Sequence, residues 1–264
     1  MEDAMHKKIT TMPQKKLVQN IIAVFFLIAI FVLCLWYLNL DIARFLSRLS
    51  NSPRILRLLM QINSEIIIIG FQQFFISFIM GIAGLAAGGI FAFVLAFLAA
   101  ENIAPCKPLA LFIKAYVSIV RAVPTLVIML MVVAAIGLGY TTGVVGLTIS
   151  SMGYLTKAFI ASIEEQDNGV ITAMRTTGAS WGQIVIHGII PTAATAFIAW
   201  IAIRLETSVA ESITLGVVGA GGIGAHLIRA TRRIDFATIT TLVLIIFLCM
   251  FLLEILSKFA RSKI

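Results

Sequence analysis

The chain has 264 residues, 60% of them hydrophobic and only 12% charged, with 20 basic against 12 acidic side chains and a net charge of +8. Its mean hydropathy is +1.05, whereas a soluble domain is closer to half apolar and a quarter charged. Too few charged side chains remain to clothe a water-facing surface, which excludes a soluble enzyme, a disordered chain and a disulfide-built secreted domain and leaves an all-α polytopic membrane protein.

In chain order, Lys7, Lys8, Lys15 and Lys16 precede an uncharged run from Leu17 to Leu40. That run exceeds the roughly 7–15 residues of a signal-peptide core, so it reads as a first membrane span. Next, Asp41–Asn63 carries Arg44, Arg48, Arg54 and Arg57 among Leu, Ile and Phe, interrupted by Asn51, Ser52 and Pro53. This is the pattern of a segment lying at the headgroup level; a docking surface is the other reading. Residues 1–64 thus form a cytoplasmic tail, one span and an interfacial segment, and residues 65–264 the core.

The core opens with Ile66–Ala100, 35 uncharged residues, about 52 Å as one helix. Such a helix must tilt, bend or leave the membrane, and Gly81, Gly84, Gly88 and Gly89 are the places to bend or pack closely. Ala122–Thr156 is a second uncharged run of 35, with Gly137, Gly139, Tyr140, Thr141, Thr142 and Gly143 clustered at its middle. Glycine and small polar residues at that density signal a turn. The run therefore divides into a third span ending near Ile136 and a fourth over Gly143–Ile163. A fifth span runs from Pro191 to about Val217, and a sixth covers Phe236–Ser257, for about six in all.

Six spans place both termini on one side. With that side cytoplasmic, all nine lysines and Arg175 and Arg261 fall at cytoplasmic segments or the span ends facing them, while Arg44, Arg48, Arg54, Arg57, Arg229, Arg232 and Arg233 lie opposite. The lysine bias orients the chain with N- and C-termini inside. The net positive charge is thereby assigned to topology and lipid headgroups rather than to nucleic acid. Cys34, Cys106 and Cys249 share no short spacing, which gives no support to a zinc or redox site.

Glu164–Pro191 carries the functional signal. Glu164, Glu165 and Asp167 are expected at the start of a helix, where the helix dipole favours negative charge. Val170–Thr177 fits two helical turns, Gly178-Ala179-Ser180 permits a break, and Ile184, Val185, Ile186, Ile189 and Ile190 return to the membrane before Pro191. A helix–glycine–helix finger of this kind is either an ordinary solvated loop or a handle by which a soluble partner moves two attached spans.

Here the sequence resembles the permeases of bacterial ABC importers, whose cytoplasmic loop follows E-A-A-x3-G-x9-I-x-L-P. Ala173, Gly178 and Pro191 match it; Thr172, Met174, Gly188 and Ile190 stand where that pattern has Glu, Ala, Ile and Leu. The phosphonate-type subfamily is a nearer likeness. Arg175-Thr176-Thr177-Gly178-Ala179-Ser180 is similar to its R-A-T-G-A-S, Arg204-Leu205-Glu206 to its R-F-E, Leu215–Gly224 to its L-G-I-V-G-A-G-G-I-G, and Arg121-Ala122-Val123-Pro124 to its R-S-I-P. The likeness covers about residues 65–264. It implies a methionine-permease-like fold in the bacterial inner membrane, working as a homodimer with two cytoplasmic ATP-binding subunits and an extracytoplasmic substrate-binding protein. It also implies coupling to the ATPase through Thr172, Ala173, Arg175, Gly178, Ala179 and Pro191. The cargo implied is phosphonate or a related phosphorus oxyanion; a methionine or other small-solute importer is the alternative. No cofactor and no catalysis by this chain are implied.

The remaining constellations carry less. Gly219–Gly224 satisfies G-x-G-x-x-G, but Asp235 follows the last glycine by only 11 positions and the flanking spans leave no βαβ unit, so a bend of Gly219, Gly221 and Gly222 at the outer end of span five replaces the dinucleotide reading. Arg204, Glu206 and Glu211 lie on that span. Arg204 and Glu211 are seven apart, on one face, and an ionisable group in hydrocarbon costs on the order of 3 kcal/mol. They either line the translocation path or dimer interface, or form a structural ion pair. Arg229, Arg232 and Arg233 form an outer basic cluster that suits an anionic substrate, the acidic rim of a binding protein, or anionic lipid. His187 and His226 have no metal-ligand spacing, and no G-x4-G-K-[ST] occurs. A membrane-embedded enzyme would need convergent catalytic groups that the spans do not offer.

Overall fold

The computed structural model describes residues 14–38, 41–49 and 52–262. Lys7, Lys8, Lys263, Leu40 and Asn51, which enter the expectations above, lie outside the described residues. The chain divides into two units, residues 1–56 and 57–264.

In the first unit, α1 (Gln14–Tyr37) is apolar on all sides, and Phe25, Phe26 and Leu33 are exposed. A helix of this length, about 36 Å, is long enough to span the hydrocarbon. α2 (Ile42–Leu49) starts where the Asp41 side chain accepts from the Arg44 backbone N–H at 2.9 Å and pairs with the Arg44 guanidinium at 3.0 Å. This is an ordinary acidic cap. α3 (Ser52–Leu59) follows and runs across the boundary between the two units.

In the second unit, Asn63 fixes the entry to the bundle. Its side chain accepts from the Glu65 N–H at 3.1 Å, and its own backbone and amide N–H groups donate to Thr241 and Thr238 at 2.8 and 3.1 Å. α4 (Ile67–Ala99) is a single unbroken helix of 33 residues. Gly81, Gly84 and Gly88 serve close packing rather than bending. A methyl group on Gly88 would come within 2.6 Å of the Thr148 carbonyl oxygen and 2.8 Å of the Met152 nitrogen. One on Gly84 would strike Leu147, and one on Gly81 would sit 3.0 Å from the Val209 Cα. Small residues let helix backbones approach where lipid supplies no hydrophobic driving force between spans. α7 (Tyr140–Glu164) lies along this glycine face, and α10 (Ile190–Leu215) packs against both.

The expected third span is corrected. α5 (Lys107–Ala122) and α6 (Thr125–Ile136) meet at 91° across Val123-Pro124. Proline removes an N–H and pushes the preceding residue out of helical geometry, and Val123 is extended. α6 alone reaches about 18 Å, too short for a bilayer. Arg121 lies in the last turn of α5, with its stem against Gly153 of α7. Among the described residues five helices are long and apolar enough to cross a membrane, and the bent α5–α6 pair is the sixth when counted as one broken span. The break between α6 and α7 falls at Gly137–Gly139, as their density suggested, and Thr142 ties it by donating to the Gly137 carbonyl at 2.6 Å.

After α7 come α8 (Asn168–Thr176), the single turn α9 (Trp181–Gln183), a π-helical turn over Ile184–Ile189, and α10. A kinked segment, Gly216–Ala220, non-helical at Gly219, leads to α11 (Gly222–Arg232) and α12 (Phe236–Ser262). The core at the α8 end is built by Phe97, Phe159, Ile163, Ile171, Ile184, Ile189 and Phe197. The Phe159 and Phe197 rings pack tilted at 52° with centroids 4.6 Å apart.

Candidate functional site

Three features gather the candidate residues: the 164–191 hairpin, an ion pair midway along α10, and a glycine bend beyond it.

In the hairpin, Asp167 rather than Glu164 caps α8, accepting from the Gly169 N–H at 2.9 Å. Glu164 and Glu165 instead end α7, which corrects the expectation that they start the hairpin helix. A carboxylate is disfavoured at a helix C-terminus. The Lys114 ammonium offsets this, lying 2.9 Å from Glu164 and 2.7 Å from Glu101. That hydrogen bond and charge hold Glu101 below the usual carboxylate range. On α8, Ile171 and Met174 turn inward while Thr172, Ala173, Arg175 and Thr176 face out. Gly178 terminates the helix at φ +79°, a left-handed conformation suited to glycine. Ala179 donates to Met174 and Gly178 to Arg175, the paired bonds of a Schellman cap. Ser180 then opens α9, with Gln183 accepting from its backbone N–H at 2.7 Å.

The hairpin is bound to the turn after α4. Arg175 donates to the Asn102 carbonyl at 3.0 Å, Trp181 Nε1 to the Ile103 carbonyl at 2.8 Å, and Asn102 Nδ2 to the Ile163 carbonyl at 2.9 Å. Beside these contacts lies a cavity of about 780 Å³ whose walls include Glu101, Lys107, Lys114 and Arg175. Pro191, in the first turn of α10, has no N–H to give to the preceding turn. The backbone there widens to π geometry, with Ile190 donating to Val185.

Midway along α10, Arg204 is 3% exposed. Its Nη1 and Nη2 donate to the two oxygens of Glu211, each at 2.8 Å. Its other donors reach Ser151 at 3.2 Å, Ser150 at 2.9 Å and Thr207 at 3.3 Å. The guanidinium carbon also lies 5.3 Å from the Tyr154 ring centroid. Glu206 takes no part, pairing instead with Arg261 of α12 at 3.1 Å. The three charges read together in the sequence thus separate into two pairs.

At the far end of α10, Gly219, Gly221 and Gly222 have φ of +105°, +91° and +68°. Side chains there would collide with Leu138, Tyr140 and Ser77 respectively. Ser77 Oγ accepts from the Ile223 N–H at 3.1 Å, anchoring α11 to α4. The bend borders a cavity of about 680 Å³ that Tyr140, His226, Arg229 and Arg232 also line. Burial and the neighbouring Arg229 push His226 below its ordinary value. Arg233 lies at the exposed C-cap of α11, outside that lining.

Sequence reasoning missed Asn102, Lys114, Trp181, Ser150, Ser151 and Arg261. The adjacent serines inside an apolar run were the one local signal. The others act on partners dozens of residues away.

This architecture, a multi-pass helical bundle with a capped hairpin leading straight into a span, is that of a transporter's membrane subunit. The family model described as binding-protein-dependent transport system inner membrane component matches residues 92–263, and the chain belongs to that family. It is 32% identical to the phosphate-import permease protein PhnE of Mycolicibacterium smegmatis over 70% of its own length and 35% of that protein's. It is 33% identical to the phosphite transport system permease protein PtxC of Stutzerimonas stutzeri over 69% and 66% of the respective chains. The chain thus spans less than two thirds of the length of these relatives. Among solved structures, the inward-facing MetNI methionine ABC transporter gives a TM-score of 0.64 at 20% identity, covering 76% of this chain and 99% of that one. An amino acid ABC transporter gives 0.63 at 19%, covering 78% and 100%. These two show the fold alone.

Proposed function

We propose that this chain is the permease subunit of an ABC importer for phosphonate, phosphate, phosphite or a related phosphorus oxyanion. Residues 65–264 form the transport core and the N- and C-termini are cytoplasmic. It works as a homodimer, with an extracytoplasmic binding protein delivering the ligand and two cytoplasmic subunits hydrolysing ATP. The supporting observation is mechanical. The hairpin bearing Thr172, Ala173, Arg175, Gly178 and Ala179 is capped at both ends, hydrogen-bonded to the turn after α4, and continuous through Pro191 with α10. A force on α8 therefore passes to α7, α4 and α10 rather than dissipating in a loop.

ATP-driven approach of the two nucleotide-binding subunits draws the paired hairpins together. α7 and α10 shift, and a central path, lined by the Arg204–Glu211 face and gated at the Gly219–Gly222 bend, opens outward to receive the ligand. Hydrolysis resets it. Arg229, Arg232 and Arg233 face the binding protein and its anionic cargo. The cargo assignment rests on the names of relatives 32–33% identical; a D-methionine permease of Vibrio cholerae is 29% identical over 64% of the chain.

Cysteines introduced as Arg175→Cys and Ala179→Cys in the complete transporter are expected to crosslink to the ATP-hydrolysing subunit. Labelling of those cysteines from outside the cell would refute the orientation and the coupling role. Uptake of labelled 2-aminoethylphosphonate, against methionine, decides the cargo.

A further inference from the structure

We propose that Arg204 is an oxyanion-binding site in which the Glu211 carboxylate sits as a tethered stand-in, and that the transported oxyanion exchanges with that carboxylate during passage. The proposal rests on the phosphorus-oxyanion reading above.

Position is the first argument. Arg204 lies about 21 Å along the helix axis from Ile190 and about 17 Å from Leu215, near the middle of α10, and Glu211 lies two turns further on, about 6 Å from Leu215. A charge there is costly and is retained where it lines a pathway or serves a site. Chemistry is the second. Arg204 directs two parallel N–H groups at two oxygens, each at 2.8 Å. This fork fits a carboxylate and two oxygens of a tetrahedral phosphorus oxyanion equally well. A tetrahedral ion has a further oxygen to satisfy, and hydroxyls stand ready for it. Ser150 Oγ is 3.3 Å from Glu211 Oε2, and Thr125 Oγ1 is 2.9 Å from Ser150 Oγ. Thr125 opens α6 directly after the 91° bend, so the broken span brings a hydroxyl and a helix start to the cluster.

Accessibility is the third argument. The arginine side chain is 4% exposed but that of Glu211 is 27% exposed. Thr207 and Thr214, one turn to either side of Glu211, are also exposed. The carboxylate is therefore the removable part of the pair, and it lies on an open, hydroxyl-bearing stripe of α10. Unmasked, a buried guanidinium would hold a multiply charged anion too tightly to release. With Glu211 as competitor, entry and exit become an exchange of one anion for another.

The test uses the full-length purified chain in lipid nanodiscs, with methylphosphonate and inorganic phosphate as probes and chloride at matched ionic strength as control. Glu211→Gln removes the competing charge. It is expected to bind labelled methylphosphonate at least about tenfold more tightly than the wild type and to gain about 5 °C of thermal stability from the probe. Glu211→Asp, with a shortened and loosened fork, is expected to show a smaller gain and guards against loss of folding in the first variant. The double variant Arg204→Gln/Glu211→Gln is expected to gain nothing. Equal binding by wild type and Glu211→Gln, or equal gain in the double variant, would overturn the proposal. Uptake by wild-type cells separates the two levels. Phosphonate uptake with anion-blind Glu211 variants defeats this inference alone, whereas methionine uptake without phosphonate uptake defeats the cargo reading beneath it.

Discussion

The indole N–H of Trp181 donates to the carbonyl oxygen of Ile103 at 2.8 Å, joining the hairpin to the turn that follows α4 across 78 positions of sequence. Trp181→Phe keeps most of the ring area and deletes that bond, a loss of about 1 kcal/mol. The expected outcome is a small drop in thermal stability with a larger drop in transport per ATP hydrolysed, read in reconstituted vesicles. Unchanged coupling would show that the hairpin needs no such tether.

Gly178 stands at φ +79° with open space around the position of a Cβ. Any cost of substitution is therefore backbone strain, of order 1–3 kcal/mol, and not a clash. Gly178→Val is expected to insert normally in the membrane yet uncouple ATP hydrolysis from transport. Gly178→Asn, which tolerates left-handed geometry, is expected to retain most coupling. Equal behaviour of the two variants would assign the effect to side-chain bulk.

Gly88 differs because its neighbours are the backbone atoms of Thr148 and Met152. These cannot rotate aside, so Gly88→Ala forces α4 away from α7 at about 1–3 kcal/mol, with Gly88→Val worse. Thermal unfolding in detergent measures this. Gly89→Ala, where the nearest atom is 3.6 Å away on the flexible Leu155 side chain, is the matched control and should be near neutral.

Asp235 accepts from the Thr238 N–H at 3.1 Å at the start of α12. Hydrogen bonds from the side chain and backbone of Thr238 hold its carboxyl below its ordinary range. A depressed folded-state pKa contributes stability above the unfolded value, and that stability is lost as pH falls through the folded one. Asp235→Ala should cost about 0.5–2 kcal/mol at neutral pH. The difference from wild type should shrink on acidification below about pH 4. Melting curves across that range check both the size and the direction.

Where the physics is local, the sequence was readable. Uncharged runs marked the spans because hydrocarbon admits little else, and glycines marked the α6–α7 break and the end of α8 because those conformations admit little else. The 91° bend at Val123-Pro124 falls at the start of an uncharged run, where composition reports apolarity and not direction; Pro124 itself is the available clue. Glu164 and Glu165 read as the start of the next helix because an acidic cluster before a helix and one ending the preceding helix look alike along the chain. Lys114, 50 residues away, and the Glu101 backbone N–H, 63 away, explain why Glu164 is tolerated where it stands. The same holds for Glu206, whose partner Arg261 lies on another helix. The 204–211 spacing, by contrast, is set by helix periodicity alone, and the two side chains do meet.

The wide turn ahead of Pro191 has a consequence for motion. A coil bonded at five-residue spacing stores one more residue than a tighter coil of the same length. Releasing that residue would advance α10 by about 1.5 Å and swivel it by about 100° relative to the hairpin. A push delivered at α8 would then reach Arg204 as a change in the direction it points.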